Sequence, residues 1–514
     1  MTSEINRRKF IGSAVAAGAV TVVPRHVLGG AGYVPPSEKI TLAHIGMGTQ
    51  GFNELGDLLA EPGLQIVAVC DPNTDSNDYV EWGKHGNRNR IRRYLGDPSW
   101  RENDRGCPGG REVGRHVVDT YYANQRKAEN FKACAAYADF RELLDKEKDL
   151  DAVKIMTPDH LHATISIAAM NRGKHVLVHK PLANRMHEGR LVVETARKTK
   201  VATHLLAYGS GTGNAIIARR VQQGAIGTLR EIHNWTNRPV WPQYTEIPTD
   251  RPPVPKGLDW DLWLGPAVDR PFHPHYTHTV FRGWYDFGGG SMADMGIYSL
   301  WPVFSVLNLG VAYSAEARAT HTCTIVDQVS RPAKNDFSFP TACTIRLKFA
   351  ARENTPAVDL FWYDGGMKPR LPGEVEAYDV EMPREGILFV GTEGTIMAGF
   401  HGQNPQRFAK GKREPLDTRE DSSADAEWSR RQQGTLSRGG PGGRYGAWQR
   451  AVRGGEASPG SFLGAGPITD AVNLGAVALR AGRKVLFDSA KMKITNDAGA
   501  NKYLHREYRA GWEL

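Results

Sequence analysis

Three glycines spaced Gly46-x-Gly48-x-x-Gly51, with Asp71 about 20 residues further on, carry the clearest chemical signal in this chain. A tight glycine turn lets the backbone approach a pyrophosphate, the helix N-terminus that follows offers free N–H groups to the phosphates, and an acid at that distance receives ribose hydroxyls. Met47, Thr49 and Gln50 complete the turn. The chemistry implied is that of a bound dinucleotide, and the negative charge of Asp71 repels a 2'-phosphate, which favours NAD over NADP. A second cluster, His273-Pro274-His275-Tyr276-Thr277-His278, lies near Asp286 and Asp294. Its side chains could bind a metal, but the spacing fits no standard ligand set, so no metal is expected. Trp235, Trp241, Trp284 and Tyr285 have faces that suit the C–H face of a pyranose, although such residues, Trp260 and Trp263 above all, more often serve the core.

The elements that must hold the turn are legible around it. An apolar run from Ile40 to Ile45 reads as a strand, Phe52 to Ala60 as a helix, and Gln65 to Cys70 as a second strand ending at Asp71. The polar stretch 72–126 is too long for an ordinary connection and reads as an insertion with some helix, near the adenosine end of the cofactor. Asp139 caps a helix through Leu144, Ala152 to Met156 is a short buried strand, and Asp159 to Asn171 is helical up to the Gly173 stop. Strand His175 to His179 leads into Lys180-Pro181, a helix spans Arg185 to Lys198, and Val201 to Leu206 closes the series. This alternation predicts an α/β fold with a doubly wound parallel sheet, a Rossmann domain over 35–207.

From 208 to 514 the pattern predicts an α+β domain with a large, mostly antiparallel open sheet. Its strands are Leu229 to Thr236, Ala315 to Val326, Thr341 to Phe349, Val358 to Trp362 and Gly386 to Ile396, the last bent at Glu393-Gly394. Residues 401–444 are polar, charged and glycine-rich and read as a long loop over a site or at a subunit contact. No internal repeat is evident.

At the N-terminus, Arg7-Arg8 precedes an alanine-rich, mildly apolar run to Val23. Residues 1–34 resemble a twin-arginine export signal and linker, which implies a periplasmic or otherwise exported protein. The run is short for a bilayer and no other long apolar segment is read, so no stable membrane insertion is expected after export. Outside the cytoplasm no soluble nicotinamide pool exists, so the cofactor should stay bound and the hydride should be returned within the same site.

The chain of 514 residues has room for two cores, and its net charge of +9 is dispersed apart from Arg88, Arg90, Arg92 and Arg93. That reads as a solvated face, not a nucleic-acid surface. Cys70, Cys107, Cys134, Cys323 and Cys343 show no CxxC spacing, which argues against a disulfide scaffold, while Cys323 and Cys343 are the pair that an oxidising compartment could join.

From about Glu38 onward the chain resembles the Gfo/Idh/MocA family, which includes glucose-fructose oxidoreductase and inositol dehydrogenase. The resemblance rests on the glycine turn, Thr157-Pro158-Asp159-His160-Leu161-His162, Gly173 to Pro181, Gly224-Ala225-Ile226-Gly227 and Gly288 to Gly296. Exported members also carry stretches like Trp235 to Pro239 and Asp259 to Pro266. The family implies cofactor contacts from Thr157, Pro158, His160, His162 and Lys180, and pairing of subunits through the outer face of the second sheet. Two positions depart from it. His179 stands where Glu-Lys-Pro has glutamate, and Tyr298 stands where Asp-x-x-x-His has its catalytic histidine, although the acid remains as Asp294.

The usual base is therefore missing. Tyr298 would need a cation such as Lys180 close by to act near neutral pH, whereas His179, His275 or His278 begins nearer the useful range. Lys180, Tyr298, Asp294 and His179 are the catalytic candidates; Arg238, Trp241, His275, His278, Arg282 and Trp284 are the substrate-contact candidates. The resemblance implies an NAD-retaining enzyme acting on a sugar or glycoside by hydride abstraction from a ring carbinol. Oxidation at one carbon acidifies the next C–H, so redox-neutral glycoside cleavage is one outcome. A two-substrate sugar oxidoreductase and a sugar-binding scaffold with a disabled site are the alternatives.

Overall fold

The computed structural model describes residues 38–81, 83–126, 134–207, 211–333, 335–353, 355–416 and 445–514. The twin-arginine segment and residues 417–444 of the polar stretch lie outside the described residues.

Strands β1 (Ile40–Ile45) and β2 (Leu64–Cys70) are followed by an antiparallel pair of β3 (Ser76–Tyr79) and β4 (Cys107–Gly109) joined through a helix, Gly86–Leu95, then by β5 (Ala135–Tyr137), β6 (Ala152–Ile155), β7 (His175–His179) and β8 (Thr203–Leu206). Six of these form a parallel sheet in the order β5-β2-β1-β6-β7-β8. This is the doubly wound order, and the strand direction of winding reverses between β1 and β6, where a crevice opens at the carboxyl ends. Helices cover both faces, which is why the strands read as continuous apolar runs. Phe52, Leu55 and Val117 pack with Leu42, Ile66 and Leu177 on one side, and Leu143, Ile165 and Val192 with Ala43, Ile45 and Val178 on the other.

The second sheet begins with β9 (Leu229–Trp235) and β10 (Ser314–Ala319). After a separate hairpin, β11 (Cys323–Val326) and β12 (Val329–Pro332), come β13 (Cys343–Phe349), β14 (Val358–Tyr363), β15 (Gly386–Gly391), β16 (Thr395–Gly399), β17 (Gln406–Ala409), β18 (Lys412–Pro415), β19 (Val485–Asp488) and β20 (Lys493–Ile494). Ten of them form one sheet, β18-β17-β16-β15-β9-β14-β13-β10-β19-β20, antiparallel except where β9 meets β14. Alternate residues of β13 and β14, among them Ile345, Leu347, Leu360 and Trp362, are buried under helices Ile297–Leu307 and Phe462–Ala481. That period of two is the signature of a half-covered sheet.

Four details differ from the sequence reading. The run Ala315 to Val326 is two strands, because the polar residues after Ala319 leave the sheet for an exposed hairpin. Gly386 to Ile396 is a hairpin and not a bent strand, closed where the Gly391 N–H donates to the Gly394 carbonyl. Part of the predicted long loop is the hairpin of β17 and β18, whose turn residues Lys410 and Gly411 both have positive φ, 53° and 67°. Finally, helix Phe462–Ala481 is long and apolar enough to cross a membrane, but two thirds of its most apolar window is buried in the core. The five cysteines are free; Cys323 is exposed and Cys343 is buried on a different pair of strands.

Candidate active site

The glycine turn follows β1 and opens helix Thr49–Leu59, with Gly48 at its N-cap. No side chain caps this terminus and no acid lies in its first turn, so its N–H groups remain available to an anion. Gly46 has φ of +100°, and a Cβ there would lie 2.6 Å from the Met156 backbone; one on Gly51 would lie 2.3 Å from the Gly46 carbonyl oxygen. Only glycine fits either position. Thr49, Gln50, Thr157 and Pro158 line the crevice with these glycines. An uncapped terminus, a backbone surface free of Cβ atoms and an acid at the end of β2 match what a dinucleotide requires.

Asp71 is buried there and well held. Its carboxylate accepts from the Met47 N–H at 2.7 Å, the Asn73 N–H at 2.8 Å and the Tyr79 hydroxyl at 3.3 Å. Burial nevertheless pushes its pKa up to about 6. Tyr79 ends β3, so this part of the insertion forms a wall of the crevice, and the His278 ring lies tilted against it at 4.2 Å.

Behind the crevice wall formed by Arg282 two segments meet. Lys180 follows β7, and Asp294 lies in a single π-helical turn, Met292–Gly296, a local widening of the kind found at functional sites. Gly289, just before that turn, donates its N–H to Asp159 Oδ2 at 3.0 Å, which fixes the loop against the first domain. Lys180 Nζ lies 2.5 Å from Asp294 Oδ1, Arg282 Nε 3.3 Å from the same oxygen, and Arg238 Nε 3.8 Å from Oδ2. Burial pushes the Asp294 pKa up, but Lys180, Arg282 and Arg238 together hold it at about 2, so it is a carboxylate at neutral pH. Arg282 also lines the crevice, so this cationic cluster adjoins the proposed cofactor space.

Tyr298 is arranged differently from the sequence expectation. Lys180 Nζ lies 4.9 Å over the Tyr298 ring, a cation–π contact, and does not meet its hydroxyl. The hydroxyl instead lies 3.2 Å from His179 Nε2. Burial, Asp294 and Glu54 push the phenol pKa well above its ordinary value, so Lys180 does not make Tyr298 a ready phenolate. His179 Nδ1 lies 3.0 Å from Glu54 Oε1, and Glu54 Oε2 is 2.7 Å from Lys154 Nζ. Burial lowers the His179 pKa to about 3, with Glu54 opposing the shift and Lys180 and Lys154 adding to it. The imidazole is therefore neutral and able to share a hydrogen bond with the Tyr298 hydroxyl.

Several candidates are placed elsewhere. His160 Nε2 contacts the Trp263 carbonyl at 3.0 Å, and the ring nitrogens of His162 lie 2.6 and 2.9 Å from the Pro181 and Thr157 carbonyls, so both are buried braces of the strand end. Lys180 is buried against Asp294 and does not line the crevice. Met47 contributes its backbone N–H to Asp71 while its side chain is core. Trp284 is fully buried, donating to the His275 carbonyl at 2.7 Å and stacking on Tyr244. Trp235 is core as well, whereas Trp241 lies beneath the Arg282 guanidinium. His275 stacks on Tyr244 away from the crevice. Glu54, Lys154 and Tyr79 escaped the sequence reading. The buried lysine in an otherwise apolar β6 was the available clue.

A family model described as an oxidoreductase NAD-binding Rossmann fold matches residues 99–206, and one described as the oxidoreductase family's C-terminal alpha/beta domain matches residues 223–359 and 467–514. The chain is 37% identical to a levoglucosan dehydrogenase from Pseudarthrobacter phenanthrenivorans over 94 residues, 18% of this chain and 24% of that protein. It is 26% identical to an alpha-N-acetylgalactosaminidase from Shewanella oneidensis over 242 residues, 44% of each. The chain thus spans less than half the length of these curated relatives. Its fold is similar to the WlbA dehydrogenase from Bordetella pertussis, solved in complex with NADH and UDP-GlcNAcA, with a TM-score of 0.50 and 13% identity over 88% of this chain and 98% of that one.

Proposed function

The chain belongs to the Gfo/Idh/MocA family of oxidoreductases, and we propose that it is an exported enzyme that retains NAD and oxidises a ring carbinol of a sugar or glycoside, with redox-neutral glycoside cleavage as the overall outcome. The observation that carries this reading is the Lys180–Asp294 pair, tied through Arg282 to the wall of a crevice built for a dinucleotide, with the Tyr298–His179 pair packed against Lys180. The kinship with a levoglucosan dehydrogenase and an alpha-N-acetylgalactosaminidase supports a carbohydrate substrate. Arg7-Arg8 ahead of an apolar run supports export.

When bound, the nicotinamide supplies the acceptor and later the donor of the hydride. The protein does the rest. Gly46, Gly48 and Gly51 with the uncapped helix receive the pyrophosphate, and Asp71 the adenosine ribose. Lys180, held by Asp294, donates a hydrogen bond to the reacting oxygen. Tyr298 takes the hydroxyl proton as its own moves to His179 Nε2, so a free phenolate is never needed. Once a ring carbon is a ketone, the same acid–base groups act on the adjacent acidified C–H, the leaving group departs, water adds, and the carbinol is restored.

Protein purified from its native compartment, with the absorbance and mass of released nucleotide recorded before and after a panel of glycosides, tests the reading. Bound NAD that is reduced transiently supports it. Reduction that persists until a second carbonyl compound is added assigns a two-substrate oxidoreductase, and a protein that neither holds nor binds NAD defeats the proposal.

A further inference from the structure

We propose that Arg238 and Arg282 receive a carboxylate carried by the substrate, so that the sugar oxidised is an acidic one, a uronic acid or its glycoside; this rests on the reading of the site as a carbohydrate oxidoreductase. The charges around Asp294 do not cancel. Lys180, Arg282 and Arg238 all act on this one carboxylate. The Lys180 ammonium takes it, with a hydrogen bond to Oδ1 at 2.5 Å. Arg282 Nε lies 3.3 Å from the same oxygen without hydrogen-bond geometry, and Arg238 Nε, at 3.8 Å from Oδ2, is beyond hydrogen-bond reach. Among the described residues neither guanidinium makes a side-chain hydrogen bond, although the two side chains are only 28% and 14% exposed. Such forks match a planar anion two donors at a time.

Both arginines are fixed by their backbones. Arg238 follows β9; its N–H donates to Thr236 Oγ1 at 3.3 Å, and its carbonyl accepts from the Gly365 N–H just beyond β14. Arg282 lies in the short turn His278–Gly283, and a Cβ on Gly288 would lie 2.5 Å from its Cα, so the glycine loop that leads to Asp294 packs directly on it. Its guanidinium rests 4.6 Å over the Phe281 ring and 6.0 Å over that of Trp241. Contact through the face leaves the edge, where the N–H groups are, for an acceptor. Two forks from separate segments thus converge on the carboxylate that holds Lys180, the residue that addresses the reacting oxygen in the proposed reaction.

Two other anions could be meant for this pair. The pyrophosphate of the nucleotide has the uncapped helix Thr49–Leu59, and although Arg282 lines the crevice, Arg238 does not. A phosphate ester on the sugar would bring about two charges at neutral pH. Asp159 also acts on Lys180 while its Oδ2 accepts from the Gly289 N–H, and with Asp159 and Asp294 both counted the three cations exceed the carboxylates by a single charge. That excess matches a monoanion.

The test pairs acidic sugars with their neutral counterparts. Full-length enzyme carrying NAD is titrated with methyl glucuronide and methyl galacturonide, with the neutral methyl glucoside and galactoside of the same anomers, and with glucose 6-phosphate. Cofactor reduction is read by absorbance and binding by calorimetry. A uronide should show a KM roughly 10- to 100-fold below that of its neutral partner. Arg238→Gln and Arg282→Gln should each bring that ratio toward one, and Arg238→Lys, which keeps the charge but not the fork, should recover only part of it. Reduction by neutral glycosides with no preference for uronides overturns the proposal and leaves the oxidoreductase reading standing. Stronger binding of the phosphate than of either uronide overturns the carboxylate assignment, and an Arg282→Gln variant that loses NAD affinity but keeps the uronide preference gives that guanidinium to the cofactor and overturns the pairing. Should no sugar reduce the cofactor, the oxidoreductase reading fails, while calorimetry still decides the anion site: uronides bound more tightly than neutral sugars uphold it, and equal or absent binding overturns it.

Discussion

The hydroxyl of Tyr298 meets His179 at 3.2 Å, two residues that occupy the family's catalytic histidine position and the first position of its Glu-Lys-Pro motif. Both departures from the family pattern thus lie in one hydrogen bond. The phenol and the neutral imidazole are each other's hydrogen-bond partner in the buried site.

Tyr298→Phe removes that hydroxyl while leaving the ring under Lys180. Turnover should fall roughly a hundredfold or more. Nucleotide affinity, measured by calorimetry, should be unchanged, and a variant that turns over normally would exclude Tyr298 as the proton acceptor.

Asp294→Asn strands the buried Lys180 ammonium without its carboxylate, at a cost of about 3–5 kcal/mol at neutral pH. The native carboxyl is depressed to about 2 from 3.8, so its contribution is complete above about pH 4 and is lost as pH falls through 2. Urea unfolding across that range should show the gap between the two proteins narrowing only below pH 4.

The proposed preference for NAD rests on the charge of Asp71, whose pKa is raised to about 6. Calorimetry should find NAD favoured over NADP by roughly tenfold or more at pH 8, the preference shrinking as pH falls through 6 and the carboxyl is protonated. A preference that is flat with pH would separate Asp71 from the ribose site.

Gly51→Ala places a Cβ 2.3 Å from the Gly46 carbonyl oxygen. The turn must shift, at about 1–3 kcal/mol of stability. Thermal unfolding should report that loss, together with weakened NAD binding, whereas Gly373→Ala, where nothing lies within 4 Å, should leave binding intact.

The parallel sheet was legible because its strands are buried on both faces and alternate with helices at regular spacing. The glycine turn was legible because two backbones come too close there for any other residue. Glu54 and Lys154 were not. A glutamate inside a helix reads as a solvated residue, and only the packing of that helix on β1 and β6 shows it to be buried against a lysine. Tyr79 was missed for a related reason: its strand pair folds back over the crevice from a polar insertion with no periodic signal. The β17–β18 hairpin is short and its second strand is exposed throughout, so neither residue period nor apolar content marked it.

The Lys180–Asp294 bond joins the end of a strand in one sheet to a turn packed on the other. The two halves are thereby pinned to each other by a desolvated ion pair, so that separating them would strand a buried ammonium from its counter-ion.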